Sequence, residues 1–547
     1  MIHLNQVGYN SKLPKKAVIT GEGRHCFILS SDGENTIQPT ISPKLYDIAS
    51  GDYVRLVDFS SITDTGEYFL FSDGLKKTFY IYKQPYNDLL GALIKSFYYL
   101  RCGCELNATH AGVYKHLECH TSAAKMIDND NTRLDVTGGW HDAGDYGRYV
   151  APAAVTLAHL MYSYELFPEA FTDSLNIPES GNGLPDLLNE CRYELEWMLK
   201  MQNEEGGAYH KVATRYFSDF IMPEDDKDEL LLFRVSHTAT AGFAAALAQA
   251  YRVFKPFDSF FADKLLAAAL RAWDWLDSNP DFVPFENPPD VRSGPYGDND
   301  CEDEIFWAAA ELWAAMLHSG RQEEALKFKA IVTKMADDID ISKLGWRDTG
   351  GFGALCCLFS INKLDTSNST EATKPDNNFV EKLRSRFLSA ADSFLEISKK
   401  SGYKTALAED EYVWGSILPI MNRAIIMICA KLLTGNQSYQ DAAQSQLDYL
   451  LGMNATGYSF VTGYGENSFR YPHHRASYAD GVADPVPGLV SGGPNNRFPD
   501  AVCKKLIPHE TPPAKFYIDD TWTASANENA IYWNSCSVFV TAYFHSL

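Results

Sequence analysis

Two aspartates, Asp142 and Asp145, lie three residues apart in the densest polar segment of the chain, residues 135–149. Glycines surround them, and glycine lets a backbone approach a ligand closely. Two close carboxyls shift each other's pKa, which is one way to obtain a base near neutral pH. An Asx turn or a calcium loop uses the same residue types. The segment therefore predicts either general base catalysis or a structural loop.

A third carboxyl, Glu528, lies near the C-terminus among the large apolar side chains of Trp522, Ile531, Tyr532 and Trp533. Apolar surroundings raise the pKa of a carboxyl and keep it protonated, as a general acid requires. A glutamate on an exposed loop is the structural alternative.

The aromatic-rich segment 459–475 ends in His473, His474 and Arg475. Imidazole and guanidinium donors among aromatic rings suit the hydroxyl groups of a sugar. A phosphate site or a pair of structural histidines would use the same groups, so the segment predicts polar ligand binding without fixing the ligand.

A second group of residues has the donor atoms of a metal site: Cys102, Cys119, His120 and His141. Two thiolates and two imidazoles suit tetrahedral zinc, although the spacing is not that of a zinc finger. Buried free thiols are the alternative, and Cys104 could replace Cys102. Because His141 directly precedes Asp142, a closed metal site here would brace the aspartate segment without joining the chemistry.

The elements that must position these residues differ between the two parts of the chain. Residues 3 to about 82 show short alternating runs separated by turn residues, which predicts a small β-sandwich. From residue 85 onward apolar residues recur at helical spacing, and about ten or more helices joined by long loops are typical of an α/α barrel. We place the domain boundary between residues 84 and 85. The predicted helices span 86–101, 183–203, 237–254, 258–278, 302–319, 322–339, 378–400, 416–433 and 438–451, and 365–378 is predicted as a polar surface loop.

The 547 residues carry 48 basic and 71 acidic side chains, a net charge of −23. This charge argues against binding to nucleic acid or an anionic membrane, which both reward basic patches, and favours a neutral or cationic ligand. No basic and apolar leader opens the sequence, and the eleven cysteines are an odd, scattered set. We therefore expect a cytoplasmic protein without a disulfide framework.

Several segments together resemble glycoside hydrolase family 9: residues 138–145, 459–475, 492–495 and 527–534. Residues 3–9 resemble the start of the immunoglobulin-like module found in one branch of that family. The resemblance spans nearly the whole chain. It implies a mainly α protein, with an immunoglobulin-like β-sandwich at 1–84 and an (α/α)6 barrel catalytic domain at 85–547.

The resemblance also implies roles for individual residues. Asp145 is the catalytic base, Asp142 helps it to hold water, and Glu528 is the general acid. The family inverts the anomeric centre, so we expect the carboxyls of base and acid to be about 6.5–9.5 Å apart. The chain departs from the family at Ala524, where an aromatic residue usually stands four residues before the acid.

Further implied roles concern ligands and metals. His473 and Arg475 would contact the sugar that is cleaved, and Trp140, Trp414 and Trp522 would form walls on which sugar rings stack. The resemblance implies structural zinc at the cysteine and histidine group and calcium elsewhere. The loop 298–304 offers oxygen ligands for calcium. We expect no organic cofactor.

These observations predict an inverting hydrolase of β-1,4-glucosidic bonds that acts on soluble cello-oligosaccharides, as a cellodextrinase or endo-β-1,4-glucanase of cellulose degradation. One alternative is an exo-β-D-glucosaminidase, because an acidic chain suits cationic chitosan oligosaccharides. The other is a catalytically inactive carbohydrate-binding protein, against which the three carboxyls argue. We expect no nucleic acid or membrane partner, and the oligomeric state stays open.

Overall fold

The structure is a computed structural model that describes residues 1–23, 25–361 and 372–547. Of the predicted polar loop 365–378, residues 365–371 lie outside the described residues. The chain divides into two compact units: Met1–Ser96 with Ala391–Leu547, and Phe97–Ala390. The predicted boundary between residues 84 and 85 stays a prediction, because these units group the N-terminal strands with C-terminal helices.

The N-terminal strands form the predicted β-sandwich. One sheet has the order β1-β3-β8-β6, with β7 also on β8, and the other has the order β2-β10-β9-β4-β5. Residues alternate between inside and outside along β9, so that Tyr68 and Leu70 enter the core while their neighbours stay partly exposed. The strands are β1 Ile2–Leu4, β2 Tyr9–Asn10, β3 Lys16–Thr20, β4 Phe27–Ser30, β5 Thr36–Ile37, β6 Thr40–Ile41, β7 Leu45–Asp47, β8 Asp52–Asp58, β9 Gly66–Ser72 and β10 Leu75–Tyr82.

The rest of the chain is mainly helical. The α-helices are α1 Asn87–Tyr99, α2 Ala108–Ala111, α3 Val150–Leu166, α4 Asp186–Lys200, α5 His237–Phe254, α6 Ser259–Ser278, α7 Glu302–Ser319, α8 Gln322–Met335, α9 Gly350–Leu355, α10 Asn377–Lys400, α11 Ile417–Thr434, α12 Gln437–Leu450, α13 Arg475–Ala479, α14 Ala501–Leu506, α15 Ala524–Asn527 and α16 Ile531–His545. Short 3-10 turns at Gly112–Tyr114, Pro168–Ala170, Glu409–Glu411 and Pro513–Lys515 and a π turn at Cys356–Ile361 complete the helical content of the described residues.

In the unit Phe97–Ala390 the helices alternate between inner and outer positions. The inner helices α3, α5 and α7 pack in succession, and α4, α6 and α8 cover them. Every residue of α5 is buried, whereas α6 exposes one face. A helix that is buried on all sides is enclosed by other helices, and an amphipathic helix with one exposed face covers it. This alternation is the packing of an α/α barrel.

A small five-stranded sheet in the same unit holds the aspartate segment. Its strands are β11 Ala124–Met126, β12 Asn129–Leu134, β13 Arg148–Tyr149, β14 Lys211–Ala213 and β15 Leu231–Leu232, in the order β12-β11-β15-β14-β13. Residues 135–147 connect β12 to β13, the two edge strands of this sheet. Strand β13 pairs with β14, so that Tyr149 lies opposite Lys211.

In the other unit α11 packs against α12 and α16. Within the described residues, α11 alone is long and apolar enough to cross a membrane, but most of it is buried in the unit, as in a core helix. The β-sandwich also packs on α12 in this unit. Asn5 Nδ2 donates to Asp448 Oδ1 at 2.8 Å, and Gln444 Nε2 donates to the carbonyl of Pro14 at 2.6 Å.

Candidate active site

Asp142 and Asp145 lie in one tight loop of the unit Phe97–Ala390, and both are buried. The amide of Asp142 donates to the carbonyl of Gly147 at 3.0 Å, and the amide of Gly147 donates to Asp145 Oδ2 at 3.0 Å. A Cβ on Gly147 would lie 2.8 Å from that same oxygen, so the turn needs glycine here. The predicted pair of neighbouring carboxyls is therefore present.

Two tyrosines contact these carboxyls. The Tyr296 hydroxyl donates to Asp142 Oδ2 at 2.5 Å, and the Tyr149 hydroxyl lies 3.4 Å from Asp145 Oδ2. Burial raises the pKa of Asp142 well above its usual range, and the charge of Asp145 adds to the rise, although the Tyr296 hydrogen bond opposes it. Asp142 thus keeps its proton more readily than an exposed carboxyl would.

The structure corrects the prediction for Trp140. Its side chain is only 1% exposed and packs against Phe97 at a ring distance of 4.8 Å. The indole nitrogen donates to Glu190 at 3.2 Å, and the backbone amide donates to Glu194 at 2.7 Å. Trp140 therefore offers no face to a sugar ring, because it forms part of the core that supports the aspartate loop. Trp307 is also fully buried.

The four predicted metal ligands come together. One ligand atom each of Cys102, Cys119, His120 and His141 lies within 4.8 Å of all the others, and all four residues are buried. Adjacent ligands of tetrahedral zinc are roughly 3.3–3.8 Å apart, so small side-chain shifts would close the site. Cys104 is not a member of this group.

The surroundings of the histidines fit a metal as well. His120 Nδ1 and His141 Nε2 are buried and have no hydrogen-bond partner among the described residues. Asp226 lies 3.5 Å from the other nitrogen of His120, the arrangement of a carboxylate that orients a metal-bound imidazole. His120 also has a positive φ of 51°, which residues with a side chain seldom adopt. The donor set and the unpartnered nitrogens suit a closed metal site.

Glu528, His473 and Arg475 come together in the unit that contains the C-terminal residues. His473 and Glu528 are bridged like neighbouring parallel strands, with the His473 amide donating to the Asn527 carbonyl at 2.9 Å. The amide of Gly492 donates to the Glu528 carbonyl at 2.8 Å. The three sequence segments that carry the family resemblance in this region therefore lie side by side.

Polar side chains behind Glu528 fix this arrangement. Asn527 is buried; its Nδ2 donates to Asp519 at 2.9 Å, and its Oδ1 accepts from the Tyr517 hydroxyl at 2.5 Å. The carboxylate of Asp519 also accepts from the amides of Arg470 and Tyr471 at 2.8 and 3.0 Å. Glu528 itself is half-buried, at the C-terminal end of α15.

Trp522 and Trp414 are exposed, as a stacking wall requires, with 54% and 47% of their surface accessible. Trp522 meets Tyr478 edge to face at 5.5 Å. It follows Thr521, whose carbonyl lies 2.7 Å from His473 Nδ1. Trp522 thus lies beside the predicted sugar-binding histidine.

The sequence alone did not point to Tyr149, Tyr296, Lys211, Asp519 or Asn527. The first two touch the carboxyls of the aspartate loop, and the last two order the segment around Glu528. A signal existed for Tyr149 and Asn527, which lie inside the motifs already quoted. Tyr296 lies 154 residues from Asp142, and one sequence gives no sign of their contact.

Buried carboxyls in one loop and a half-buried glutamate next to a histidine are groups that acid–base hydrolysis of a glycosidic bond can use. A sequence model of glycosyl hydrolase family 9 matches residues 86–541, and a model of the cellulase N-terminal ig-like domain matches residues 1–77. The chain belongs to glycosyl hydrolase family 9. The predicted fold class is confirmed by these matches and by the solved structures described next.

Relatives and solved structures match over nearly the whole chain. A cellodextrinase of Butyrivibrio fibrisolvens is 36% identical over 98% of both chains. A xyloglucan-specific endo-β-1,4-glucanase of Bacteroides ovatus is 33% identical over 100% of this chain and 94% of its own. The structure of AaCel9A in complex with cellobiose-like isofagomine superposes with a TM-score of 0.89, at 33% identity over 100% of both chains. A Zn-binding triple mutant of the family 9 endoglucanase J30 has a TM-score of 0.89, 32% identity and coverage of 98% and 99%.

Proposed function

We propose that this glycoside hydrolase cleaves β-1,4-glucosidic bonds of soluble cello-oligosaccharides and inverts the anomeric carbon. The observation that carries the proposal is the buried Asp142 and Asp145 pair, held in one glycine-containing loop of a family 9 chain. The full-length similarity to a cellodextrinase supports the preference for short, soluble substrates.

In the proposed mechanism Glu528 gives its proton to the glycosidic oxygen as the bond to the anomeric carbon breaks. Asp145 removes a proton from a water molecule that attacks this carbon from the opposite face, and Asp142 helps to orient that water. An inverting pair leaves room for the water, with carboxyls about 6.5–9.5 Å apart. His473 and Arg475 bind hydroxyls of the sugar that is cleaved.

Proton NMR of the first products tests the mechanism. We expect hydrolysis of cellotetraose to yield the α-anomer first, which then equilibrates with the β-anomer. Asp145→Asn and Glu528→Gln should each lower kcat by about a thousandfold or more, because each removes one proton transfer. The exposed-residue controls Asp128→Asn and Glu510→Gln should keep wild-type rates. A β-anomer as first product would contradict inversion.

A panel of substrates separates the proposal from its alternatives. We expect cellotriose and cellotetraose to be hydrolysed faster than chitosan oligosaccharides or xyloglucan oligosaccharides. Faster turnover of chitosan oligosaccharides would instead support the exo-β-D-glucosaminidase. Binding of cellotetraose without any turnover would support an inactive carbohydrate-binding protein.

We also propose a structural zinc ion held by Cys102, Cys119, His120 and His141. Such an ion would fix the loop that begins at His141 and would leave the proton transfers to the carboxyls. Support comes from the close, buried ligand atoms and the unpartnered imidazole nitrogens.

Calcium is proposed at the loop 298–304. Glu304 is buried, and neither of its carboxylate oxygens has a hydrogen-bond partner among the described residues. One carboxylate oxygen of Asp298 in the same loop is likewise unpartnered. Buried carboxylates without donors suit a hard cation such as calcium.

A cytoplasmic location is proposed from the cysteines. All eleven are free thiols in the structure, and ten of them are buried. A chain with this many thiols and no disulfide suits a reducing compartment.

A further inference from the structure

The loop of residues 285–297, called here the tyrosine loop, carries the Tyr296 hydroxyl that donates to Asp142. Tyr296 has a positive φ of 44°, in the left-handed region that residues with a side chain rarely occupy. Such a conformation is unfavourable and persists only where the surrounding structure holds it. The contacts that hold the tyrosine loop therefore matter to Asp142.

The ammonium of Lys211 makes the largest set of these contacts. Lys211 lies on β14 and has 0% of its surface exposed. Its Nζ donates to Asn287 Oδ1 at 2.8 Å, to the Gly294 carbonyl at 2.7 Å, and to the carbonyl and hydroxyl of Ser293 at 3.2 and 3.1 Å. All four acceptors are neutral. Burying a charge without an ion-pair partner is costly, so an apolar side chain would fill this position at lower cost.

His210, the neighbour of Lys211, holds the other side of the tyrosine loop. Its Nε2 lies 2.7 Å from the Pro295 carbonyl, and its Nδ1 lies 2.8 Å from the Ser236 hydroxyl. The imidazole also stacks on Phe285 at a ring distance of 3.6 Å. Pro295, the residue before Tyr296, is therefore fixed by the residue that directly precedes β14.

Lys211 also lies close to the other carboxyl of the pair. Its Nζ is 5.6 Å from the ring centre of Tyr149, the residue that faces Lys211 across β13 and β14. The Tyr149 hydroxyl in turn lies 3.4 Å from Asp145 Oδ2. One buried cation thus connects the tyrosine loop to the surroundings of both aspartates.

We propose that Lys211 is a positioning residue for hydrolysis: it fixes the tyrosine loop so that Tyr296 orients Asp142, and it places a positive charge near Asp145. The inference rests on the proposed function, because it assigns both aspartates to the activation of water. Lys211 lies outside the aspartate segment, and it would help to hold that water through Tyr296 and Asp142.

The proposal predicts that the rate of hydrolysis depends on the protonation of Lys211. Burial lowers the pKa of Lys211 to about 7, and the charge of Asp145 opposes this shift. His210 is neutral at that pH because burial lowers its pKa to about 3. The ring of Tyr149 also faces Lys211, and the Arg234 guanidinium lies over Phe285. As the pH rises through the pKa of Lys211, the amine loses one N–H and its charge, and the tyrosine loop loses a hydrogen bond.

The test compares Lys211→Met and Lys211→Arg with wild type on cellotetraose. We expect Lys211→Met to lower kcat by about 10- to 100-fold, since a displaced catalytic group loses rate on that scale, and to leave KM within about threefold. Lys211→Arg stays charged at all relevant pH values, so its alkaline limb should move to higher pH. Amide hydrogen exchange in a peptide covering 285–297 should become faster in Lys211→Met.

Lys15 provides a matched control. It is also a fully buried lysine whose Nζ donates to backbone carbonyls, those of Leu13 at 2.7 Å and Ser11 at 3.0 Å, but in the β-sandwich. Lys15→Met removes the same kind of buried charge, yet it should keep the wild-type kcat, pH profile and exchange of the tyrosine loop.

The outcomes separate this inference from the proposed function. A wild-type enzyme that does not hydrolyse cellotetraose would refute the proposed function. An active wild type together with a folded Lys211→Met of unchanged kcat and pH profile would overturn the role of Lys211 alone. If Lys211→Met does not fold, Asn287→Ala removes one acceptor; faster exchange in 285–297 and a lower kcat would support the proposal, and wild-type values of both would refute it.

Discussion

Asp142 and Asp145 have the same side chain and lie in one turn, yet the structure gives them different surroundings. Asp142 accepts the hydroxyl of Tyr296, whereas Asp145 accepts the amide of Gly147. The sequence indicates the pair but not this difference, because Tyr296 comes from a loop that only folding brings near. The different surroundings of the two carboxyls therefore depend on tertiary contacts.

Trp522 and Trp140 are aromatic residues of the same type that likewise have different surroundings. Both lie in or beside the motif segments and both were predicted as sugar-stacking walls, but Trp522 is 54% exposed and Trp140 1%. The type of a residue and its neighbours in the chain do not distinguish an exposed tryptophan from a buried one. Only the packing of Trp140 on Phe97 separates the two.

Replacement of Trp522 by alanine should weaken substrate binding. We expect Trp522→Ala to raise KM for cellotetraose about three- to tenfold at nearly constant kcat, because an aromatic contact contributes about 0.5–1.5 kcal/mol. Steady-state kinetics measure this change. Phe498→Ala, which removes another exposed aromatic ring of the same unit, is the control. Equal KM values for Trp522→Ala and wild type would show that sugars do not stack there.

At the scale of elements, periodicity predicted amphipathic helices well. The predicted ranges 237–254 and 302–319 coincide with α5 and α7, and 258–278 differs from α6 by one residue. The helices α3 and α16 were not predicted. Both are apolar on almost every side, so they show no 3.6-residue alternation, and such a run does not differ by pattern from a buried strand.

The contact between the β-sandwich and α12 carries a titrating group. Burial raises the pKa of Asp448 from 3.8 to about 7, although its hydrogen bond from Asn5 opposes the shift. The folded protein therefore holds this proton more tightly than the unfolded chain does. The resulting stabilisation is complete below about pH 4 and is lost as the pH rises towards 7.

Asp448→Asn removes this titration and keeps an oxygen acceptor for Asn5. The free energy of unfolding of Asp448→Asn minus that of wild type should be larger at pH 8 than at pH 4, by on the order of 1–3 kcal/mol. Urea unfolding at the two pH values measures the difference. Asp441→Asn, on the partly exposed side of α12, should show no such change. An unchanged pH dependence in Asp448→Asn would contradict the argument.

At the scale of the whole molecule, one experiment can measure both the number of free thiols and the number of zinc ions per chain. The chain has eleven cysteines, all free and nearly all buried. In guanidinium chloride without reductant we expect eleven thiols to react with a thiol reagent and one zinc ion per chain to be released. Native protein should react slowly. The zinc should be retained because its ligands are enclosed.

Cys119→Ser serves as the variant for this count. It should lose the zinc, lower the melting temperature and reduce kcat, because the loop that begins at His141 is no longer braced. Cys26→Ser, a buried cysteine of the β-sandwich, should keep the zinc and the activity. Zinc-free wild-type protein with full activity would exclude the ion from any supporting role, and fewer than eleven thiols would indicate disulfides.

The sequence by itself determined the class of the fold, the bounds of most long helices and the three candidate carboxyls. Local periodicity and contiguous motifs indicate these features. The sequence also indicated the four candidate metal ligands that the structure brings together. The tertiary structure decided which tryptophans are exposed and how Tyr296 reaches Asp142. It also decided that Lys211 donates hydrogen bonds to the loop that carries Tyr296. These features join residues far apart in the chain, and a single sequence does not show which distant residues meet in the folded protein.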